Sequence, residues 1–437
     1  MRNFINLLAI LVFILPLCAL EFTLPDGADE VEIPVDVVSG IMIARAKVNG
    51  TELRFIIDSG ASRSTIFNLN GVDSLNVGQG RETTIRGYGS LEPFKAIESS
   101  QNLIQIGELK SENATINVLT ESQISFLPIL GTEVNGIIGI EFFKNHLVEL
   151  DFRRERILTY KDESALRLSR YEKIKLEKVS EKLYINAQVK NDSSAMPTRL
   201  LLDTGSGDAL WLFEKDEQFK MPVKGFRDYL GFGMSGDVYG FRSKVDTLEI
   251  GEFTFDKITF AYPELDRENF QSSDLNRGSI GGEVLRRFEV VIDYDDEFLY
   301  LRQTRAFKDG FYYNMAGLKL REGKEELVTD VKYNYDPDKA TEVRSMKKIE
   351  IGQTKTFFYR YAKKIIVSYV APDSPADLNG IKEGDQVVGL FNKDLGEFSM
   401  GEVTYLFYRD PGSVVKLKMK RGKEYYKVRL KLKPIIE

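Results

Sequence analysis

The sequence predicts a mainly β protein in which two pseudo-symmetric lobes are followed by a smaller α+β domain. Three observations lead to this fold class. Short stretches of alternating apolar residues, bounded by Gly, Asn and Asp, recur along most of the chain. Five short motifs occur twice in the same order, and after about residue 307 they stop and a mixed pattern takes over. We therefore expect lobes at residues 21–165 and 166–306 and a third domain at 307–437.

The composition limits the chemistry that the chain can perform. Its 437 residues are 43% hydrophobic, which is enough for several packed cores, and its net charge of −6 offers no basic excess for nucleic acid. It contains one His, His146, and one Cys, Cys18. A Ser-His-Asp or Cys-His relay would have to run through His146, and no His/Cys zinc cluster can be assembled. We expect no metal and no cofactor, which leaves carboxylates, hydroxyls and backbone groups.

Residues 1–20 are typical of a secretory signal peptide. Arg2 precedes an apolar run from Phe4 to Leu15, and small residues follow before the acidic Glu21. An uncleaved membrane anchor is the alternative, although the run is short for a span, and lipidation of Cys18 is another. We expect an exported protein, periplasmic, in the cell envelope or secreted, that meets a membrane only through this segment. Whether a propeptide such as residues 21–33 is removed stays open.

An internal repeat defines the two lobes. Asp58-Ser59-Gly60 returns 145 residues later as Asp203-Thr204-Gly205. Four further motifs return after 142 or 144 residues: Gly87-Tyr88-Gly89 as Gly231-Phe232-Gly233, Ile106-Gly107 as Ile250-Gly251, Ile138-Gly139 as Ile280-Gly281, and Leu150-Asp151-Phe152 as Ile292-Asp293-Tyr294. Five motifs in one order indicate two homologous β lobes. The strands predicted around the first motif are 41–48 and 53–57, and around its second copy 183–189 and 199–202.

Both copies of the first motif bring a carboxylate to the end of an apolar strand. Residues 55–57 lead into Asp58, and residues 200–202 lead into Asp203. A charge in that position is costly unless it is hydrogen-bonded or functional. Lobes related by a pseudo-two-fold axis would bring the two carboxylates face to face, where they share one proton. The ionised group could then activate a water as general base while the protonated group polarises a carbonyl.

Residues 55–62 and 202–206 resemble the active-site signature of aspartic proteases of the retropepsin and pepsin type. Residues 135–139 and 278–281 are similar to the second signature of that family, an apolar-apolar-Gly strand beneath the catalytic loop. The resemblance implies two retropepsin-like β-barrel lobes that form a single-chain aspartic endopeptidase acting on a peptide or protein substrate. It further implies the following roles: Asp58 and Asp203 as the catalytic dyad, Ser59 and Thr204 as the residues whose hydrogen bonds brace the loops, and Gly60 and Gly205 as the loop glycines.

The resemblance also implies a β-hairpin flap that closes over the substrate. The candidates are the Gly-rich segments 86–90 and 231–240, with these flap residues: Gly87, Tyr88 and Gly89 in the first, and Gly231, Phe232 and Gly233 in the second. Which hairpin closes the cleft, or whether both do, stays open. We interpret His146 as a packing or surface residue, Trp211 as a core residue, and Asp151 and Asp293 as structural.

The C-terminal segment resembles a PDZ domain. Residues 370–376 and 380–388 are similar to its S-P-A and G-D-x-I elements. Such domains add a peptide strand beside a helix, and backbone amides receive the terminal carboxylate of a C-terminal peptide. The resemblance implies Met400 to Tyr408 as the groove helix and the following carboxylate-binding residues: Gly317, Leu318, Lys319 and Leu320. The charged segment 321–355 would then be an insertion or a mobile loop. Other expected elements are a strand at 365–370, a turn and short helix at 372–380, a strand after Gly384, and a hairpin of 414–420 with 425–432.

We therefore predict a monomer whose lobes pair within one chain, with no nucleic-acid partner. Two alternatives remain. One is a catalytically inactive peptide-binding or scaffolding protein of the envelope. The other is pairing of lobes between chains, which would make activity depend on protein concentration.

Overall fold

The chain is mainly β, as predicted. A computed structural model describes residues 21–85, 93–120, 130, 132–213, 222–233, 236–264, 278–335, 341–343, 348–350, 353–391, 393–434 and 436. Within these ranges the strands form sheets of 13, 8, 6 and 2 strands. The predicted signal peptide, residues 1–20, lies outside the described residues. None of the helices in the described part of the chain is long and apolar enough to cross a membrane.

The 13-stranded sheet joins the first lobe to three strands that follow it. Its strands, numbered in chain order, are β1 (Glu30–Val38), β2 (Ile41–Val48), β3 (Thr51–Ile57), β4 (Thr65–Ile66), β5 (Gly80–Ile85), β6 (Phe94–Ile106), β7 (Leu109–Leu119), β8 (Gly136–Ile138), β9 (Leu147–Asp151), β10 (Arg156–Tyr160), β11 (Glu172–Lys175), β20 (Phe288–Asp293) and β21 (Phe298–Gln303). Their order across the sheet is β11-β21-β20-β9-β10-β1-β2-β3-β8-β4-β7-β6-β5.

The 8-stranded sheet belongs to the second lobe and repeats part of this pattern. Its strands are β12 (Glu177–Val179), β13 (Lys182–Asn191), β14 (Ser194–Leu202), β15 (Leu210–Leu212), β16 (Phe226–Gly233), β17 (Gly236–Ile250), β18 (Phe253–Pro263) and β19 (Gly278–Ile280). β3 pairs in parallel with β8, and β14 pairs in parallel with β19. The strands predicted around both copies of the first motif are confirmed, because β2, β3, β13 and β14 contain them.

The two lobes meet along β9 and β20, which pair antiparallel. Glu149 pairs with Val291, and Leu150 pairs with Val290. These strands are 142 residues apart in the repeat, so Glu149 lies opposite its own equivalent. A local two-fold axis therefore passes between these two residues. The axis turns equivalent loops of the two lobes toward each other.

The residues interpreted as structural do pack or cap turns near this axis. His146 is buried, with its ring edge-on to Phe142 at 6.0 Å between centroids. Burial lowers the pKa of His146 to about 4, so it is neutral in its packed position. Asp151 Oδ1 accepts the amide of Arg154 (3.1 Å) in the turn after β9. These predictions are confirmed.

The third sheet and a separate core form the C-terminal domain. Its strands are β22 (Leu318–Tyr335), β25 (Gln353–Val370), β26 (Gln386–Leu390), β27 (Lys393–Asp394), β28 (Val414–Arg421) and β29 (Glu424–Lys431), and the two-stranded sheet is β23 (Thr341–Val343) with β24 (Lys348–Glu350). The helices are α1 (Gly282–Leu285) in the second lobe, with α2 (Pro375–Leu378) and α3 (Met400–Tyr405) in this domain. Short 3-10 helices are Ile140–Phe143, Glu163–Ala165, Leu168–Arg170, Arg305–Lys308 and Leu406–Tyr408. The short helix, the strand after Gly384 and the closing hairpin are found where they were predicted.

The expectation of a mobile loop at 321–355 is wrong for the described residues of this segment. β22 and β25 pair antiparallel from Leu318 opposite Val370 to Tyr335 opposite Gln353, so the segment is a long β ribbon. Both faces of a ribbon that projects from a sheet can meet water, which removes the apolar alternation that identifies a strand in a sequence. Ion pairs connect the two strands instead: Glu322 pairs with Lys363 (2.9 Å), and Glu326 pairs with Lys364 (3.2 Å).

Candidate active site

The two loops that carry the paired aspartates begin at equivalent strand ends. Asp58 follows β3, and its amide donates to the carbonyl of Ile138 in β8 (2.9 Å). Asp203 follows β14, and its amide donates to the carbonyl of Ile280 in β19 (3.0 Å). The second repeated motif thus anchors the first by a backbone hydrogen bond in each lobe.

A symmetric set of hydrogen bonds joins the two loops across the axis. The hydroxyl of Ser59 donates to the carbonyl of Leu202 (2.6 Å), and that of Thr204 donates to the carbonyl of Ile57 (2.7 Å). The amide of Ser59 donates to Thr204 Oγ1 (3.0 Å), and the amide of Thr204 donates to Ser59 Oγ (3.2 Å). All four residues are buried. Because each hydroxyl both donates and accepts, the separation of the loops is set by four hydrogen bonds shielded from water.

The carboxyl groups of Asp58 and Asp203 each lie against the glycine of the opposite loop. The amide of Gly60 donates to Asp58 Oδ1 (2.7 Å), and that of Gly205 donates to Asp203 Oδ1 (3.1 Å). A Cβ placed on Gly205 would lie 2.4 Å from Cγ of Asp58, and one on Gly60 would lie 3.2 Å from Cγ of Asp203. The φ of Gly205 is not in the left-handed region, so its backbone conformation does not require glycine. Glycine is needed at position 205 because of the close approach of the Asp58 carboxyl.

The two carboxyls affect each other's protonation. Burial raises the pKa of Asp58, against the opposing effects of the Gly60 amide and the charge of Lys182. Burial, together with the charge of Asp58, raises the pKa of Asp203 to about 7. The ionisation of one carboxyl opposes that of the other, so the pair can hold one proton and one negative charge. A site in that state contains a general acid and a general base side by side.

The paired carboxyls lie on the floor of a cleft of about 2160 Å³. Apolar walls come from both lobes: Ile41, Phe67, Ile85 and Leu130 from the first, and Trp211, Phe213, Leu230 and Val238 from the second. Trp211 was expected in the core, but it is half-buried on this wall, and its indole Nε1 donates to Asp208 (2.6 Å). The composition of the walls suits an extended chain with apolar side chains.

Two hairpins extend to this cleft, at the positions of the predicted flaps. β5 and β6 pair as far as Ile85 opposite Phe94, and the candidate flap residues Gly87, Tyr88 and Gly89 lie outside the described residues. β16 and β17 pair as far as Gly233 opposite Gly236, which places Gly231, Phe232 and Gly233 in a strand next to the tip. The second candidate segment therefore lies in paired strands, and the first follows directly after β5.

The C-terminal domain packs against the second hairpin. The ring of Phe226 lies 5.5 Å from that of Tyr313, and the ring of Tyr239 lies 6.2 Å from that of Tyr369. The hydroxyl of Tyr369 also donates to the carbonyl of Arg227 (3.4 Å). These contacts brace the base of the hairpin from outside the lobe.

Sequence reasoning missed a charged cluster beside the second loop. Arg242 on β17 donates to both carboxylate oxygens of Asp208 (3.0 and 3.2 Å) and to Asp228 on β16 (2.6 Å). Arg242 is buried, and a buried guanidinium with two carboxylates is strongly held in one geometry. The cluster ties the loop after Asp203 to the hairpin. No sequence signal marks it, because the three residues are far apart in the chain and meet only when the second hairpin packs beside the loop after Asp203.

The predicted carboxylate-binding residues of the C-terminal domain lie on the rim of the same cleft. Gly317, at φ +70°, precedes β22, and the first residues of that strand are Leu318, Lys319 and Leu320. All four line the cleft, as do parts of α3. Leu318 and Leu320 are buried in the core of the domain, whereas the ammonium of Lys319 lies over the ring of Tyr229 in the second hairpin.

The backbone groups of this loop are already partly paired. Asn314 Oδ1 accepts the amides of Ala316 and Gly317 (both 3.1 Å), and its Nδ2 donates to the carbonyl of Leu318 (2.6 Å). Of the predicted carboxylate-binding residues, Gly317 therefore has its amide engaged by the carboxamide of Asn314, and a terminal carboxylate would have to displace that carboxamide to reach this amide.

Comparison with known proteins gives one family match. Residues 44–142 match the family described as aspartyl protease, a range that contains the loop of Asp58 and the second-signature residues 135–139. No curated protein matches the chain. Among the solved structures that match is the aspartic proteinase from Irpex lacteus, with a TM-score of 0.41 and 14% identity, covering 64% of this chain and 99% of that chain. The matched range lies within the first lobe.

Proposed function

We propose that the protein is an aspartic endopeptidase that hydrolyses peptide bonds with a water activated by Asp58 and Asp203. The observation that carries this proposal is the pair of equivalent loops, cross-linked by Ser59 and Thr204, that hold two half-buried carboxyls against each other on the floor of a cleft. The family match of residues 44–142 supports the same reaction class.

In this mechanism the two carboxyls divide the acid and base roles. The ionised group takes a proton from the water as its oxygen bonds to the scissile carbonyl carbon, and the protonated group donates to the carbonyl oxygen. The carboxyl that took the proton from the water then gives it to the amine nitrogen as the C–N bond breaks. The other carboxylate takes a proton from a hydroxyl of the tetrahedral intermediate, which leaves a carboxylic acid product and the pair as it began. The amides of Gly60 and Gly205 stabilise whichever carboxylate carries the charge.

We expect hydrolysis to follow a bell-shaped pH profile. At low pH both carboxyls are protonated and the base is lost. At high pH both ionise and the acid is lost, and since the pKa of Asp203 is about 7, the alkaline limb should fall near neutrality. The measurement is kcat/KM for a fluorogenic peptide from about pH 3 to about pH 9. A rate that keeps rising above neutral pH would contradict a shared-proton pair.

The proposal is tested with a fluorogenic peptide library, assayed from acidic to neutral pH with and without a statine-type inhibitor. Turnover that the inhibitor blocks supports an active aspartic endopeptidase. Saturable peptide binding without turnover would instead support an inactive peptide-binding or scaffolding protein. A specific activity that rises with protein concentration would indicate lobes that pair between chains. The hydrogen bonds between Ser59 and Thr204 within one chain favour the monomer.

We also propose that the PDZ-like C-terminal domain binds a segment of the substrate or of a partner peptide. Leu318 and Lys319 line the same cleft as Asp58, which supports a role close to the substrate. Because Asn314 pairs with the amides of this loop, we expect free and C-terminally amidated peptides to bind with similar affinity. Fluorescence anisotropy with matched peptides measures this. A strong preference for the free carboxylate would show that a C-terminal ligand displaces the carboxamide of Asn314 from the loop.

Export is proposed on the sequence of residues 1–20 alone. Cell fractionation with N-terminal sequencing of the isolated protein tests it. A chain that begins near residue 20 and is recovered outside the cytoplasm would support cleavage and export. A membrane-bound chain that keeps its first residues would support the anchor.

A further inference from the structure

Lys182 lies on the wall of the cleft at a point where the two lobes differ. It is the first residue of β13 and directly follows the two-residue turn 180–181 after β12. In the first lobe, Ile41 directly follows the two-residue turn 39–40 between β1 and β2. Both Lys182 and Ile41 line the cleft. Equivalent positions are therefore aliphatic in the first lobe and cationic in the second.

The ammonium of Lys182 has no carboxylate partner among the residues that the structure describes. The adjacent carboxylate, that of Glu181, is used elsewhere: it pairs with Lys144 (2.8 Å), and the backbone carbonyl of Glu181 accepts from the hydroxyl of Tyr294 (2.7 Å). The side chain of Lys182 is half-buried, so it is partly shielded from water. Its charge lowers the pKa of Asp58 and of Asp203, which shows that its field acts over the centre of the cleft.

The described arginines that the lobes contribute to the cleft are, by contrast, already paired. Their carboxylate partners are close: Arg63 with Glu98 (2.8 Å), Arg242 with Asp208 (3.0 Å) and Arg286 with Glu283 (2.5 Å). A charge compensated within the protein offers little to a ligand, whereas a partly desolvated cation without a partner gains from binding an anion. Among the described lobe residues that line the cleft, Lys182 is the cation without an ion-pair partner.

We propose that Lys182 is a specificity-determining residue that binds a carboxylate of the substrate on one side of the scissile bond. This inference rests on the proposed function and names a substrate class for it: peptides with an acidic group on the side of the cleft formed by β13. The carboxylate can be an Asp or Glu side chain or the terminus of the substrate. A cleft with a pseudo-two-fold axis would otherwise present similar walls to both ends of an extended peptide. Because Ile41 and Lys182 differ in charge, an acidic peptide would bind in one of the two possible orientations in the cleft.

The test uses sets of fluorogenic peptides that differ at one position near the scissile bond, with Glu, Gln or Lys there. We expect the wild-type protein to favour Glu over Gln by about tenfold in kcat/KM at one position, as a charge-assisted contact would. In Lys182→Met this ratio should fall to about one, and Lys182→Glu should favour the Lys peptide. Lys190→Met is the matched control, because Lys190 lies on the same strand but pairs with Glu249. It should keep the wild-type ratio.

A second pair of peptides, one with a free C-terminus and one amidated, distinguishes a terminal carboxylate from the carboxylate of an Asp or Glu side chain. Preference for the free form, lost in Lys182→Met, would assign the site to a terminal carboxylate. A Glu-to-Gln ratio in Lys182→Met equal to that of the wild type, with no effect of amidation that depends on Lys182, would overturn the inference. If the wild-type protein cleaves no peptide, the proposed function fails, and the inference is then tested by the affinity of Glu and Gln peptides for the wild type and for Lys182→Met. Equal affinities of the two peptides for the wild type would overturn it there too.

Discussion

Replacing either Asp58 or Asp203 by Asn is expected to lower peptide hydrolysis by about 10²- to 10⁴-fold, the range that a general acid or base contributes. Asn has nearly the shape of Asp, but it can neither carry the negative charge nor share the proton. The base and the acid of the site belong to the pair, so losing either residue removes both roles. The measurement is kcat/KM with a fluorogenic peptide. Asp246→Asn is the control, because Asp246 pairs with Lys257 away from the cleft, and it should keep wild-type activity.

The Asn variants are expected to stay folded. An Asn side-chain oxygen can still accept from Gly60 (2.7 Å in the wild type) or Gly205 (3.1 Å). The wild type should lose stability as pH rises from about 4 to about 7, because Asp203 in the unfolded chain ionises near 3.8 while the folded protein holds its proton up to about pH 7. Asp203→Asn lacks the part of this loss that comes from Asp203, so its stability should fall less over the same range. Urea unfolding at the two pH values measures it. Full hydrolytic activity in either Asn variant would contradict the mechanism.

Gly205→Ala is expected to reduce activity by about 10²-fold or more, as misplacement of a reacting group by an ångström can. A Cβ at position 205 would lie 2.4 Å from Cγ and 2.6 Å from Oδ2 of Asp58, well inside contact distance. The carboxyl of Asp58 would have to turn away from Asp203, which breaks its hydrogen bond from Gly60 (2.7 Å). The loss should appear in kcat for a fluorogenic peptide, with little change in far-ultraviolet circular dichroism.

Gly60→Ala is the matched variant in the first loop. There the closest atoms are Asp58 Oδ1 at 3.1 Å and the Asp203 carboxyl at 3.2 Å, so a shift of a few tenths of an ångström is sufficient. We expect a clearly smaller loss of activity than in Gly205→Ala. Equal activity of Gly205→Ala and the wild type would show that the carboxyl of Asp58 does not need this close approach.

The sequence by itself determined several strands and the positions of the two paired aspartates. Apolar alternation predicted β2, β3, β13 and β14, since each of them buries one face. The repeat predicted that Asp58 and Asp203 meet, because two copies of one unit tend to pair about an axis, and the pairing of Glu149 with Val291 is symmetric in that way. Such features are local, or are copied along the chain, and a pattern in one sequence can contain them.

Only the tertiary structure decided the features that depend on charges meeting across strands. The ribbon of β22 and β25 looked like a loop because its ion pairs, such as Glu322 with Lys363, form only once the strands are paired. Arg242 and Asp208 come together through the second hairpin. The lack of an ion-pair partner for Lys182 is evident only from the structure, in which the adjacent Glu181 pairs with Lys144. A charged residue carries no periodic signal of its partner, because electrostatic pairing depends on distance in space and not on spacing in the chain.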